Sequence, residues 1–253
     1  MSGPGGVTGK EAEEVKRFGY LYPGYASEDD YPLMAASVDP PVENRVFHTE
    51  VPVDAHRPDA LRMVGAIELL LEPMEDVLAF APHALSWACT SGSFIFGPEG
   101  AKRQVDEIER AYDIPSSSTS LAFLRAIDHL GVERVAVRAT YPDDVARTFG
   151  DFVEAAGASV QSVECLHIIT GVEVGTLRPD RVIDFVASTT SPELDAVLVP
   201  DTAMATASFL DDLEQATGTI VLTANQVTMW DLMQMAGWEG AYPGGGTLFA
   251  GRP

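Results

Sequence analysis

From residue 83 to residue 237 the chain switches repeatedly between two periodicities, and this alternation narrows its possible architectures sharply. Short apolar runs of strand character occur at HALSWA (83–88), RVAVRAT (134–140), SVQSVECLHII (159–169), LDAVLVP (194–200) and TIVLTA (219–224). Between and after them lie stretches with apolar residues at helical spacing: 98–112, 116–131, 142–157, 178–188, 205–218 and 226–237. The 116–131 stretch opens on serine and threonine caps and stops at a glycine, and 142–157 carries proline at its first turn. Upstream, RFGYLYP (17–23) reads as a buried strand, and 59–80 as a helix interrupted at Pro73. Strand–helix alternation of this kind implies an α/β fold with parallel sheets and right-handed crossovers. Ligands in such folds sit beyond the carboxyl ends of the strands.

The chain also repeats itself. ALSWACT (84–90) and AVLVPDT (196–202) are both apolar strands that begin with alanine and end in a reactive-type residue followed by threonine. Cys89 and Asp201 thus hold matching positions, as expected of two α/β halves that each contribute a residue to a shared cleft. The expected organisation is a tail over 1–16, a first subdomain from 17–122 plus 224–253, and a second from 123–223. With 253 residues, the chain has the length for one large domain or two small ones.

Charge removes several functions. Thirty-eight acidic residues face sixteen basic ones, giving −22, and such a surface repels nucleic acid and anionic membranes. No apolar run approaches the roughly 18 residues of a membrane span, and the first 17 residues lack the apolar centre of a signal peptide. Two cysteines make no disulfide scaffold, so a reducing cytoplasm is the expected compartment.

Cys89 lies in SWACTSGSF (86–94), at the carboxyl end of a strand and beside small residues whose N–H and O–H groups favour a thiolate. Its alternative is a small buried apolar side chain. Cys165 has no donor-rich turn and reads as core. Asp201 either caps a helix beginning near Ala203 or faces Cys89 as a proton carrier with a raised pKa. Tyr141 ends another strand and either donates to a carboxylate or packs as a lid. Arg138 either meets solvent or supplies local charge. Histidines 48, 56, 83, 129 and 167 show no metal-ligand spacing. No G-x-G-x-x-G lies at a strand-to-helix turn and no G-x-S-x-G is present, so no metal, nucleotide or other cofactor is expected.

The successive segments SWACTSGSF, SSSTSLAFLRAIDHLGVERVAVRATYPDDV, LDAVLVPDT and LTANQVTMWDLMQMAG resemble the maleate cis-trans isomerase and arylmalonate decarboxylase group of the aspartate/glutamate racemase superfamily. The resemblance runs from about residue 17 to 240. It implies two pseudo-symmetric Rossmann-like subdomains with parallel sheets facing a central cleft, and chemistry without a cofactor. The isomerases set two cysteines across the substrate; by motif these fall at Cys89 and at Asp201, the latter a departure. The decarboxylases keep the second cysteine and have glycine at the first, so this chain shows the reverse pattern. Thr90, Ser91 and Tyr141 match the donors, Thr202 adds another, and Tyr25 or Ala26 replaces a first-loop asparagine. A second asparagine is replaced near Gly171. The implied activity is a cofactor-independent isomerase acting on a small carboxylate through Cys89, with Asp201 as the opposing acid or base. The alternatives are a decarboxylase in which Cys89 protonates an enediolate, and an inactive carboxylate-binding homologue. A homo-oligomer is compatible with either enzyme.

Overall fold

The computed structural model describes residues 14–24, 26–188 and 191–251. Tyr25 and the first thirteen residues of the expected tail lie outside that set. Eight strands carry the fold of the described residues: β1 (Lys16–Pro23), β2 (Val42–Thr49), β3 (Ala84–Trp87), β4 (Ser116–Ser118), β5 (Arg134–Ala139), β6 (Ser159–Cys165), β7 (Ala196–Val199) and β8 (Ile220–Thr223). They form two four-stranded sheets in the orders β2-β1-β3-β4 and β6-β5-β7-β8, with every pairing parallel. The second sheet repeats the topology of the first. β3 and β7 hold the same rank, so the ALSWACT and AVLVPDT segments are structurally equivalent. Both strands are buried along their whole length, which is why they read as unbroken apolar runs.

Two strands carry no such signal. β2 (VENRVFHT) is an edge strand with Glu43 exposed, and its charges conceal its periodicity. β4 is three buried serines. The hydroxyl of Ser117 donates to Asp231, and Ser118 caps the helix Thr119–Leu130 by accepting from the Leu121 N–H at 3.4 Å. The expected helix 116–131 is therefore a strand followed by a shorter helix. Gly131, at φ 59°, ends that helix in the left-handed region, where glycine carries no Cβ penalty.

Two further expectations change. Segment 59–80 forms three short helices, Pro58–Val64, Ile67–Leu70 and Met74–Phe80, because Gly65 breaks the run before Pro73 does. The helix expected from 205 starts at Leu210. Residues 202–207 form a loop instead, drawn onto the buried Asp30 carboxylate by the Thr206 N–H at 2.9 Å. Burial pushes the Asp30 carboxyl up, opposed by hydrogen bonds from Asn225 and the Thr206 and Ala207 amides. Helix Ala224–Met235 opens on a Thr223/Gln226 capping box and is buried all round over most of its length. It packs against Thr119–Leu130 and strands of both sheets. Among the described residues no helix is long and apolar enough to cross a membrane.

Candidate active site between the two sheets

The carboxyl ends of β1, β3 and β7 open on one cavity of about 240 Å³, lined by residues of both halves. That volume lies below the roughly 300 Å³ at which drug-sized sites begin, so it suits a small molecule. Cys89 and Asp201 each follow their strand by two residues, and both line the cavity with Ser91 and Thr202. Thr90 and Tyr141 do not border it and stand one layer behind, both buried.

The turn after β3 is tightly built. The Gly92 N–H donates to Cys89 Sγ at 3.3 Å, and the Ser91 hydroxyl lies 3.8 Å from the sulfur. A Cβ on Gly92 would sit 3.1 Å from both that sulfur and the Trp87 ring, so glycine is the residue that fits. Gln104 fastens the turn from outside by donating to the carbonyls of Gly65 (2.7 Å) and Gly92 (3.0 Å). Gly65 lies so close that an added Cβ would fall 2.1 Å from the Gly92 carbonyl oxygen. Gly65→Ala is therefore expected to destabilise the protein by about 1–3 kcal/mol, the usual range for overpacking. Thermal unfolding checks this, and an unchanged Tm would contradict the close approach.

The donors do not lower the Cys89 thiol. Burial pushes its pKa up to about 11, partly offset by Gly92 and Ser91, and the Asp201 charge adds to the rise. The expectation of a thiolate favoured by its turn is thus corrected: desolvation outweighs two hydrogen bonds. The Cys165 thiol, half-buried at the end of β6 against the core, is likewise raised to about 11. Iodoacetamide at pH 7 should then label Cys89 no faster than Cys165, and a rate tens of times higher at Cys89 would contradict its neutral resting state.

Asp201 is not a helix cap, since the next helix begins at Leu210. One oxygen accepts from the Ala203 N–H at 2.9 Å and the other from the Thr140 hydroxyl. Both acceptors are thereby fixed in a short turn closed by the Met204 N–H on the Asp201 carbonyl at 3.2 Å. Tyr141 donates to the Pro200 carbonyl. Burial raises its phenol well above the usual range, and the Asp201 and Cys89 charges add to the rise. Tyr22, which also lines the cavity, donates to the Thr202 carbonyl at 2.9 Å and accepts from the Ser27 N–H at 3.1 Å. Thr90 Oγ1 is buried without a hydrogen-bond partner. Arg138 is spent elsewhere: it is fully buried, 3.4 Å from Glu164, and does not line the cavity. Ala26 and Gly171 line the wall where the resemblance implies asparagines. No three His, Cys, Asp or Glu side chains among the described residues converge on a metal-sized site.

His56 was not legible as a cavity residue. It is buried in the loop after β2, lines the cavity, and holds its ring edge-on to Tyr141 with centroids 4.8 Å apart. Only an isolated histidine on a strandless stretch marks it in the sequence.

The chain is similar to proteins of known activity. An arylmalonate decarboxylase from Bordetella bronchiseptica is 29% identical over 165 residues, 63% of this chain and 68% of that protein. A maleate isomerase from Alcaligenes faecalis is 24% identical over 144 residues. That match covers 56% of this chain and only 57% of the isomerase, under two thirds of its length. Among solved structures, a maleate cis-trans isomerase of Nocardia farcinica bearing a covalently bound succinylcysteine intermediate superposes with a TM-score of 0.85 at 20% identity, covering 95% of this chain and all of that one. A liganded arylmalonate decarboxylase variant, with one glycine changed to cysteine and one cysteine to serine, superposes at 0.81 and 22% identity, covering 93% and 99%. At these identities the superpositions speak for the fold. The family model for arylmalonate decarboxylase matches residues 71–249, well over half the sequence, and the chain belongs to that family.

Proposed function

We propose that this protein is a cofactor-independent enzyme in which the Cys89 thiol protonates an enediolate formed from a small carboxylate. The observation that supports it most is the state of the sulfur: a buried thiol raised to about 11, in the wall of a cavity it shares with Asp201. A neutral thiol is a proton donor at neutral pH, whereas addition to a double bond needs the thiolate. The enediolate arises by loss of CO2 from a malonate-type acid. The electron pair of the broken C–C bond is held on the remaining carboxylate, and the carbon then takes the Cys89 proton. Solvent returns a proton to the sulfur. The Ser91 hydroxyl, on the cavity wall beside Cys89, is a donor for the developing oxyanion charge.

A second reading, isomerisation, is favoured by Asp201. Its two oxygens are held as acceptors, so it can take a proton from the α-carbon on one side while Cys89 gives one on the other. Either way the acid form of Cys89 is required. At saturating substrate, kcat should then hold steady above neutrality and fall only as pH rises through the raised thiol value of about 11. A fall in kcat through pH 7 would contradict this.

Phenylmalonate and a single enantiomer of 2-phenylpropionate, each incubated in D2O, separate the two readings. Decarboxylation releases CO2 and leaves deuterated phenylacetate. Isomerisation exchanges the α-hydrogen of the propionate with loss of optical activity. Inertness toward both, and toward maleate, would leave only carboxylate binding.

A further inference from the structure

We infer that His56, as imidazolium, supplies the positive charge that holds the substrate carboxylate, so that acid binding is coupled to proton uptake. This rests on the reading of the cavity as a carboxylate site. Three observations carry it. First, no lysine or arginine lines the cavity among the described residues, and Asp54 and Asp201 make it acidic. Hydroxyl and amide donors must hold an entering anion against those two carboxylates, and His56 is the one lining side chain that can add positive charge.

Second, the ring is locked. Nδ1 lies 2.9 Å from the Ile168 carbonyl oxygen, which only accepts, so the proton sits on Nδ1. The backbone N–H of His56 donates to the Ile169 carbonyl at 2.6 Å, and the ring stands edge-on to Tyr141. Third, Nε2 makes no hydrogen bond to any described residue. The His56 side chain lines the cavity, where that nitrogen is the one left to meet an entering ligand. Protonation there turns an idle acceptor into a charged donor.

The neighbouring titratable groups divide cleanly. Cys89, Tyr22 and Tyr141 are all raised far above neutrality and neither gain nor lose protons near pH 7. Arg57 is exposed beside Asp59, and His167 is exposed beside Asp143. Asp54 and Asp201 are the carboxylates on the same wall, so the His56 variant shows whether any uptake belongs to the imidazole.

Titration calorimetry with phenylacetate in buffers of different ionisation enthalpy, at about pH 7.5, reads the coupled proton directly. The uncharged phenylacetamide serves as matched probe. Wild-type protein should bind phenylacetate with net proton uptake, and weaken as pH rises. His56→Gln, whose amide still donates to the Ile168 carbonyl, should bind phenylacetate at least 10-fold more weakly with no uptake. Its affinity for phenylacetamide should stay within about twofold, showing that the cavity is intact. Equal phenylacetate affinity in the variant, or uptake that persists in it, overturns the assignment and leaves the carboxylate site standing. A variant that loses both probes alike overturns it in favour of a purely structural histidine. Failure of the wild type to bind phenylacetate removes the carboxylate reading, and the His56 inference with it.

Discussion

Replacing Cys89 with alanine should lower turnover about 10³-fold or more while leaving a folded protein. The chemical loss is complete, because no other thiol lines the cavity and the Ser91 hydroxyl is a far weaker acid than a thiol. The structural loss is small. Sγ accepts one N–H, from Gly92, and an ordinary hydrogen bond contributes about 1 kcal/mol. Cys89→Ser separates the two effects: it keeps a polar acceptor for Gly92 but has no acidity near the working pH, so it should be as inactive as the alanine variant. Activity within tenfold of wild type in either would show that the proton comes from elsewhere. The natural rival is Asp201, which lines the same cavity.

Asp201→Asn carries the second large effect, and its sign depends on the reaction. Asparagine retains one acceptor for the Ala203 N–H, and its amide can donate to the Thr140 hydroxyl, so the turn after β7 survives. What disappears is the ability to take a proton. Exchange of the α-hydrogen of 2-phenylpropionate should fall on the order of 10²- to 10⁴-fold, the usual effect of removing a general base. Loss of CO2 from phenylmalonate needs no base at that position and should change less than tenfold. Equal losses in both assays would mean that Asp201 holds substrate, or shapes the cavity, in addition to moving a proton.

What the sequence disclosed and what it concealed follow from burial. β3, β7 and β8 are apolar but for one serine and one threonine, and the matching sequences around β3 and β7 make the internal repeat visible before any coordinates. β2 and β4 were invisible because one is a charged edge strand and the other three serines whose hydroxyls are paired inside the protein. The site divides along the same line. Cys89, Ser91, Asp201 and Thr202 follow strands that announce themselves, and all four line the cavity. Thr90 and Tyr141 sit behind them. His56 belongs to a loop after the strand that was missed, and its neighbours at Ile168 and Ile169 come from the other half, more than a hundred residues away. No local pattern encodes such a meeting. The thiol's state was misjudged for a related reason: the donors next to Cys89 are written in the sequence, while the apolar enclosure that outweighs them is assembled from distant segments.

The central claim is that Cys89 delivers the proton from one fixed side of the cavity. It is tested most directly by the configuration and isotope content of the product formed from α-methyl-α-phenylmalonate in D2O. Delivery from a single buried thiol that re-equilibrates with solvent predicts 2-phenylpropionate with one deuterium at the α-carbon and a single configuration, and Cys89→Ala should lose that product. A racemic product from the wild type, or the same enantiomer formed at a comparable rate by Cys89→Ala, would contradict it.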